Sequence, residues 1–370
     1  MSLHVGLNML HLVPGETGGS ELYARRLVPA LLEAGGATLT LLAPSAAVPS
    51  LLAEPWGRDV ELVGIPVEAR SRVRRALAEQ TRLRRPGIDL LHNLFTTAPA
   101  FPAVPQVTTI LDVIYKRFPE THAGLRARGL ALLTWISARR SRRIIAISEA
   151  AKSDIVQFLG VPSERVDVTY PGPALPLGEL DPASVRASLD LGEAPIVLTV
   201  SAKLPHKNLE RLFEAFAGVQ VEPAPVLVVP GYETFHEPAL RERAAAVASG
   251  RIRFTGWLED EVLDALFRAS TCFVFPSLAE GFGLPVLDAL ARGVPVATSN
   301  ASSLPEVGGD AVIYFDPTNT GAMTNAITGL LENEELRERL RAAGPSRAAE
   351  FSWSQTAEAT LASYQRTLAS

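Results

Sequence analysis

Short runs of aliphatic and β-branched residues alternate with amphipathic segments along most of the chain. Near the start, this pattern predicts a strand at 4–10, a helix at 20–32 that ends at a glycine pair, and a strand at 38–43. The alternation continues through the segments 89–92, 107–111, 125–138, 143–147 and 149–159. Because consecutive strand, helix and strand form a βαβ unit, the pattern predicts a parallel sheet.

Four prolines between positions 171 and 182, together with Gly178, interrupt this periodicity. The alternation then restarts with the segments 196–200, 209–218, 226–229, 251–254, 262–268, 271–275, 284–292 and 294–298. The size of the chain, 370 residues, also favours two domains over one core. The sequence therefore predicts an α/β protein with two doubly wound domains: a first at 1–172, a linker at 173–190 and a second at 191–351.

The composition is that of a folded protein, with 47% hydrophobic and 20% charged residues. Cys272 is the single cysteine and lies in a predicted core strand, so it can form neither an intrachain disulfide nor a cysteine-based metal cluster. No apolar run approaches the roughly 20 residues that span a bilayer, and residues 1–9 lack the pattern of a secretory leader. We expect a cytoplasmic protein that is soluble or peripheral to a membrane.

Charge is divided unevenly along the sequence. Residues 1–172 carry 20 Lys and Arg against 15 Asp and Glu, which leaves 15 against 25 for the remainder. The arginines cluster at 70–85 and at 126–143. Such clusters predict contact with anionic lipid at the inner membrane face or with an anionic acceptor, although a solvated helix surface gives the same pattern. Nucleic acid is not an expected partner, because the net charge is −5.

The most informative motif surrounds a predicted helix start. Residues 280–288 read Glu-Gly-Phe-Gly-Leu-Pro-Val-Leu-Asp and follow a buried strand. Gly281 and Gly283 allow close backbone approach to a ligand, and a helix N-terminus favours phosphate. Glu280 and Asp288 are acceptors for the hydroxyls of a sugar. A tight βα turn with acids near the helix dipole explains the same residues without a ligand.

This stretch is similar to the Glu-x7-Glu signature of the retaining glycosyltransferases of family 4, the group 1 enzymes with the GT-B fold. The overlapping Phe-Pro-Ser-x-x-Glu-Gly-Phe-Gly-Leu-Pro stretch, residues 275–285, extends the match. The resemblance implies two Rossmann-like domains that face each other across a cleft, with the last helix, near 352–370, crossing back onto the first domain. Asp288 stands where the family usually has Glu, so its side chain is one methylene shorter.

The resemblance also implies roles within this stretch. Glu280 would face the transferred sugar, and Asp288 would hold the ribose of the nucleotide. The residues between them would contact the donor; these are Gly281, Phe282, Gly283 and Leu284.

Two of the four lysines of the chain lie together after the strand at 196–200. Lys203 and Lys207 occupy the segment Lys-Leu-Pro-His-Lys-Asn, and a compact ammonium suits a phosphate oxygen. A surface loop with two incidental lysines is the alternative. In the family, an arginine and a lysine here neutralise the leaving diphosphate; Lys207 matches that lysine, and Lys203 is the candidate substitute for the arginine.

Two further segments suggest contacts with the donor. Gly18 and Gly19 open the first helix, where a backbone nest holds phosphate or where Ser20 simply caps the helix. The resemblance places this glycine pair across the cleft from the diphosphate and makes room for the sugar. It also assigns Trp257 and Leu258 to the loop around the nucleotide base; core packing of the tryptophan is the alternative.

Candidate residues for the acceptor or sugar side lie in the first domain. His92 ends a predicted strand and would face the cleft, although a hydrogen-bonded structural histidine fits equally well. Asp112 follows the next strand and is similar to the family's His-Asp strand end. Leu111 stands at the usual histidine position, which removes a usual contact to the donor sugar.

No Asp-x-Asp motif and no metal-ligand spacing occur, so neither a metal nor a cofactor is expected. The resulting prediction is a metal-independent retaining transferase with Glu280, Lys207 and Lys203 as catalytic residues. It would move mannose or glucose from a GDP- or UDP-sugar, with GDP-mannose preferred, to a hydroxyl of a glycan, lipid or small molecule. Alternatives are a nucleotide-sugar epimerase of the same fold and a non-catalytic homologue that binds nucleotide-sugar.

Overall fold

The computed structural model describes residues 3–16, 18–118 and 125–369. The chain forms two compact units: unit 1 comprises Met1–Pro171 and Ser352–Ser370, and unit 2 comprises Gly172–Phe351. Each unit is built on one wholly parallel sheet, as expected when buried strands alternate with helices.

Unit 1 has seven strands in the order β3-β2-β1-β4-β5-β6-β7. Their bounds are β1 Leu3–Asn8, β2 Ala37–Pro44, β3 Glu61–Ile65, β4 Leu90–Asn93, β5 Gln106–Ile110, β6 Arg143–Ala146 and β7 Val166–Val168. The intervening helices are α1 Gly19–Ala34, α2 Val48–Leu52, α3 Arg72–Arg82, α4 Ile114–Arg117, α5 Leu125–Arg140 and α6 Glu149–Leu159. The strand order reverses between β1 and β4, which is where an open α/β sheet binds ligands.

Unit 2 has six strands in the order β10-β9-β8-β11-β12-β13. Their bounds are β8 Ile196–Leu198, β9 Val226–Pro230, β10 Ile252–Gly256, β11 Cys272–Phe275, β12 Val296–Ser299 and β13 Ile313–Phe315. The helices are α7 Pro182–Ser188, α8 Leu209–Ala217, α9 Glu237–Ala248, α10 Asp260–Ala269, α11 Leu284–Ala291, α12 Leu304–Gly308, α13 Thr320–Glu332 and α14 Glu334–Ala348. Here the order reverses between β8 and β11, so the loops that follow these two strands flank the switch point.

The last helix, α15 (Trp353–Ala369), belongs to unit 1. The Trp353 ring packs edge-on against Tyr23 of α1 at 5.6 Å between centroids, and Thr356 Oγ1 donates to the carbonyl of Tyr170 at 2.6 Å. Arg366 forms an ion pair with Asp167 of β7. These contacts place α15 on the helical layer of unit 1.

The predicted linker at 173–190 is not a free connection, since it lies in unit 2 and includes α7. Arg292 donates to the carbonyls of Leu175 and Pro176 at 2.9 and 2.8 Å, and Arg268 donates to that of Leu180 at 2.6 Å. Both arginines also bind the fully buried carboxylate of Asp264. The prolines interrupt the periodicity, but Arg268 of α10 and Arg292, at the C-terminal end of α11, fix the segment by its backbone oxygens.

Cys272 is buried in β11 at the centre of the unit 2 sheet. Burial raises the pKa of its thiol to about 12, because the thiolate would lose its hydration. Among the described residues, no helix is both long enough and apolar enough to cross a bilayer.

Candidate active site

The candidate site of unit 2 lies at the carboxyl edge of its sheet, at the switch point between β8 and β11. Lys207 follows β8 and ends a 3-10 turn at Pro205–Lys207, while Glu280 lies in the loop after β11. The Nζ atom of Lys207 donates to both carboxylate oxygens of Glu280 at 2.7 and 2.9 Å. The lysine side chain is 15% exposed and the glutamate side chain 10%, so the pair is sheltered and still reachable. The structure therefore brings together two of the three predicted catalytic residues.

Asn208 fixes the position of Lys207. Its backbone is left-handed, with φ of 60°, a conformation that asparagine adopts more readily than most residues. Its amide donates to the carbonyls of Pro276 and Pro317 at 3.0 and 2.8 Å. In addition, Leu278 N donates to the carbonyl of His206 at 2.8 Å. The lysine loop is thus tied directly to the glutamate loop, a role for Asn208 that sequence reasoning missed.

The loop that carries Glu280 is held by hydroxyls from the loop after β12. Ser302 donates to the carbonyl of Glu280 at 2.7 Å, and Ser303 donates to that of Phe282 at 2.6 Å. Gly283 then starts α11 with φ of 117°, and a Cβ there would lie 2.7 Å from a Leu304 methyl. Only glycine therefore fits at position 283, where α11 begins. The first N–H groups of a helix have no intrahelical acceptor and favour an anion.

Lys203 does not take the role predicted for it. Its side chain is fully buried, and its ammonium donates to the carbonyl of Gly231 at 2.6 Å and lies 3.3 Å from Glu237 Oε2. Burial lowers the pKa of Lys203, and Glu237 opposes that change. The ammonium is committed to the loop after β9 and to α9, so its contacts are structural, in contrast to those of Lys207.

Asp288 also has a different role from the predicted contact with ribose. It is buried within α11, and its Oδ1 accepts the N–H groups of Ala174 and Leu175 at 2.9 and 3.0 Å. Arg292, one turn further along, lies 3.8 Å from the same oxygen. The shorter acid is therefore used to hold the segment that enters unit 2.

Trp257 lies just after β10 and is 56% exposed, so the alternative of core packing is wrong. Its ring lies 6.2 Å from that of Tyr232, which follows β9. Leu258 is partly buried beside it. Two aromatic faces are thus presented at the carboxyl edge of this sheet, next to the strands β9 and β10.

Ser201 adds a polar group that the sequence did not single out. Its hydroxyl lies after β8 and, like that of Ser277 after β11, is buried without a hydrogen-bond partner among the described residues. Buried hydroxyls normally have partners, so these two are exceptions near the switch point of this sheet.

In unit 1, Gly18 and Gly19 begin α1. Gly18 is the capping residue with φ of 60° and ψ of −137°, and no side chain caps the helix. The alternative that Ser20 caps is therefore wrong, because Ser20 lies within α1. Glu21 accepts the N–H of Gly15 at 3.0 Å and binds Arg25, which closes the preceding loop.

His92 does not contact an acceptor; it is the structural histidine of the alternative interpretation. It is fully buried, with Nδ1 at 2.7 Å from Tyr364 Oη of α15 and Nε2 at 2.7 Å from Thr109 Oγ1. Burial lowers its pKa to about 3. Asp112 accepts the N–H of Ile114 at 3.1 Å, which shapes the turn into α4.

Replacing His92 by glutamine should change how the stability of unit 1 depends on pH. Between pH 6.5 and about 3 the unfolded chain binds a proton at His92 that the folded chain does not, so acid destabilises the folded wild type. The slope at this residue is at most about 1.4 kcal/mol per pH unit. We expect His92→Gln to be less stable at pH 7, with its disadvantage shrinking toward pH 4. Urea unfolding at each pH tests this; parallel curves for the two proteins would contradict it.

The polar group at the unit 1 switch point is instead a pair that sequence reasoning missed. Glu79 of α3 is buried, and its carboxylate lies 3.2 Å from Nδ1 of His11, which follows β1. Thr97, after β4, donates to the same carboxylate at 3.0 Å. Because His11, Glu79 and Thr97 are far apart in the sequence, no local motif indicated that they meet. In the described part of the chain, no three His, Cys, Asp or Glu side chains converge as metal ligands.

Known proteins resemble both units. A family model described as Glycosyl transferases group 1 matches residues 183–347, and one described as Glycosyltransferase Family 4 matches residues 17–173. The O-antigen chain mannosyltransferase B of Escherichia coli is 31% identical over 265 residues, which cover 70% of each chain. The serotype-specific mannosyltransferase WbdA of Escherichia coli is 31% identical over 240 residues, which cover 62% of this chain and 29% of that protein.

Solved structures show the same fold. Sucrose-phosphate synthase from Thermosynechococcus elongatus superposes with a TM-score of 0.79 at 20% identity, covering 99% of each chain. Anabaena HepE, in complex with UDP and glucose, gives a TM-score of 0.78 at 18% identity, covering 98% of this chain and 100% of HepE. Two parallel-sheet α/β domains of this kind constitute the GT-B fold.

Proposed function

We propose, from the premise that this chain belongs to the group 1 glycosyltransferases of family 4, that it transfers mannose from GDP-mannose to a hydroxyl of a glycan acceptor with retention at the anomeric carbon. Membership makes the chain a glycosyltransferase; the donor and the stereochemistry are the proposal. Mannose is favoured because the curated relatives above are named mannosyltransferases. The GDP moiety rests on the overall resemblance, and UDP or glucose are the nearest alternatives.

The Lys207–Glu280 pair is the observation that carries this proposal. A lysine suits a diphosphate, and a glutamate suits sugar hydroxyls and a positively charged anomeric carbon. In this structure each neutralises the other through two short hydrogen bonds. We infer that the donor opens the pair: the diphosphate takes the ammonium, and the sugar takes the released carboxylate. Nucleotide and sugar binding would then depend on each other.

The reaction would proceed on one face of the sugar. The bond between the anomeric carbon and the phosphate oxygen breaks, the acceptor oxygen bonds to the same face, and the acceptor proton passes to the departing diphosphate. Lys207 and the start of α11 would stabilise the diphosphate charge, and Glu280 would stabilise the charge at the anomeric carbon. This chemistry uses residues of the chain for every charge, so we propose a reaction without a metal or cofactor.

The other proposed contacts with the donor are inferred from where the side chains of unit 2 lie. Trp257, Leu258 and Tyr232 would meet the nucleotide base, and Ser201 would donate to a phosphate oxygen. Gly281 to Leu284 would approach the donor through their backbone. Neither Lys203 nor Asp288 takes part, because both are committed to contacts within unit 2. The acceptor side and a cytoplasmic setting stay predictions.

A panel of labelled nucleotide sugars, incubated with and without glycan and lipid-linked acceptors, tests the function. Acceptor-dependent release of GDP, with a product that keeps the donor's anomeric configuration, is the expected result. Epimerised sugar without an acceptor would identify an epimerase instead. Binding of nucleotide sugar with no turnover on any acceptor would indicate the non-catalytic homologue.

Lys207→Ala should weaken the binding of free GDP by roughly tenfold or more, because a charged hydrogen bond is worth about 1.5–3 kcal/mol. Calorimetric titration with GDP and UDP measures this. Lys116→Ala, which removes an exposed lysine of unit 1, is the matched control and should bind as the wild type does. Unchanged affinity in Lys207→Ala would remove this lysine from the phosphate site.

A further inference from the structure

Unit 1 exposes large apolar side chains on α5 and on the loop that is attached to this helix. Phe101, in the loop before β5, is 70% exposed, and on α5 Leu132 is 57% and Trp135 45% exposed. Leu132, Trp135 and Arg139 are three and four residues apart, so they share one face of the helix. We call Phe101, Leu132, Trp135, Arg139 and Arg140 the α5 surface.

Contacts join the loop to the helix. The Arg140 guanidinium lies 5.2 Å from the centre of the Phe101 ring, and that of Arg139 lies 5.4 Å from the Trp135 ring. The loop itself is attached to α5, because Ala98 N donates to Ser137 Oγ at 2.8 Å. Each of these exposed aromatic rings therefore has an arginine against it, and both ring–arginine pairs lie on α5 and the loop attached to it.

The arginines of this patch keep their charge available. In residues 3–16, 18–118 and 125–369, neither Arg139 nor Arg140 pairs with a carboxylate. The pKa of nearby Arg165 is lowered, first by burial and then by Arg139 and Arg143, as expected where positive charge is concentrated.

The other predicted arginine cluster, around α3, differs in this respect. Arg70, Arg74 and Arg85 pair with Glu16, Glu68 and Glu61 respectively. Much of its charge is therefore neutralised, although α3 also exposes Val73 and Leu77. The side chains of Arg72, Arg126 and Arg128, which belong to the two predicted clusters, lie outside the described part of the structure.

Such a patch matches the boundary between water and lipid. Tryptophan and phenylalanine favour the headgroup level of a bilayer, where one part of the ring is wet and the rest is apolar, and arginines bind phosphate there. Single exposed apolar residues are ordinary, but three together with two arginines that pair with no carboxylate among the described residues are not. Residues 1–172 also carry the excess of basic over acidic groups, whereas the rest of the chain is acidic.

We propose that the α5 surface binds the headgroup region of a bilayer that contains anionic lipid. The rings of Phe101 and Trp135 and the side chain of Leu132 would enter the boundary between headgroups and acyl chains, while Arg139 and Arg140 bind lipid phosphates. Anionic lipid is the chosen occupant because both arginines of this surface carry positive charge and neither pairs with a carboxylate in the part of the chain that the structure describes.

Co-sedimentation with vesicles tests this proposal. The full chain should bind vesicles of phosphatidylcholine with phosphatidylglycerol at least tenfold better than vesicles of phosphatidylcholine alone, and added salt should weaken binding. Phe101→Glu and Trp135→Glu should each weaken binding by about tenfold. Arg139→Gln and Arg140→Gln should each reduce only the preference for anionic lipid, by about fivefold.

Phe235→Glu is the matched control, because Phe235 is 71% exposed but lies in unit 2. It should bind vesicles as the wild type does. Thermal unfolding of each variant establishes that it is folded.

Three results would overturn the proposal: equal binding to both kinds of vesicle, no binding to either, or a loss of binding in Phe235→Glu equal to that in Phe101→Glu. A dimer in gel filtration that Phe101→Glu dissociates, without vesicle binding, would assign the patch to a second copy. The assay needs no nucleotide, so its outcome is separate from that of sugar transfer.

Discussion

Replacing Glu280 by glutamine should lower turnover by roughly a hundredfold and at the same time tighten the binding of free GDP several-fold. The amide keeps the shape of the side chain, so the serines that hold the loop by its backbone should keep their contacts. It cannot balance positive charge at the anomeric carbon, which reduces the rate. It also binds the Lys207 ammonium less strongly than the carboxylate does, which leaves the lysine more available to diphosphate.

Two measurements separate the parts of this prediction. Steady-state turnover reports the role of the carboxylate toward the sugar, and calorimetry with GDP reports the opening of the ion pair. Glu214→Gln, which removes a surface ion pair with Arg243 in the same unit, should change neither. Near-normal turnover in Glu280→Gln would remove Glu280 from catalysis, whereas unchanged or weaker GDP binding would reject the exchange of partners by Lys207. If wild-type protein bound no nucleoside diphosphate, the donor itself would be wrong.

Arg292→Met should destabilise unit 2 by roughly 3–5 kcal/mol, because it leaves a buried carboxylate without its fully buried partner. Asp264 and Arg292 are both fully buried, with Nε and Oδ1 2.8 Å apart. The same guanidinium donates to the carbonyls of Leu175 and Pro176, which would lose their donor. Urea unfolding followed by hydrogen exchange within unit 2 measures the effect without assuming that both units unfold together.

Arg268 provides the comparison, because it binds the same carboxylate from a side chain that is partly exposed. Arg268→Met should cost less, about 1–2 kcal/mol. The double variant Asp264→Leu with Arg292→Met should be more stable than Arg292→Met alone, since no buried charge is left unpaired. Additive losses in the double variant would show that the ion pair is not the source of the stability.

The alternation of apolar runs was sufficient to predict two parallel α/β domains, because buried strands and amphipathic helices have different periods. The strands that escaped notice are short or lie at sheet edges. β7 has three residues, and β3 includes Gly64 and two exposed positions. Such strands carry too few apolar residues to stand out from loops.

The sequence indicated which residues meet where the topology of the sheet brings their loops together. It did not indicate the contacts that depend on partners far away in the sequence. Lys207 and Glu280 come from loops after neighbouring strands, which a parallel sheet must bring together. Lys203 has the same residue type and a similar position, but carbonyls 28 and 29 residues away take its ammonium. Asp288 binds N–H groups more than 110 positions earlier, and His92 binds a hydroxyl 272 positions later. Residue type and spacing hold no information about such partners.

The buried thiol of Cys272 makes the chain well suited to spectroscopic labelling. With a pKa of about 12 and no exposure to solvent, this cysteine should resist maleimide reagents at neutral pH. A cysteine introduced at position 101 or 235 would then carry the sole fluorophore, and Cys272 would not need to be replaced. The emission shift of a fluorophore at position 101 would report lipid contact, and a fluorophore at position 235 would serve as the control. Both could be followed in real time at nanomolar protein concentration.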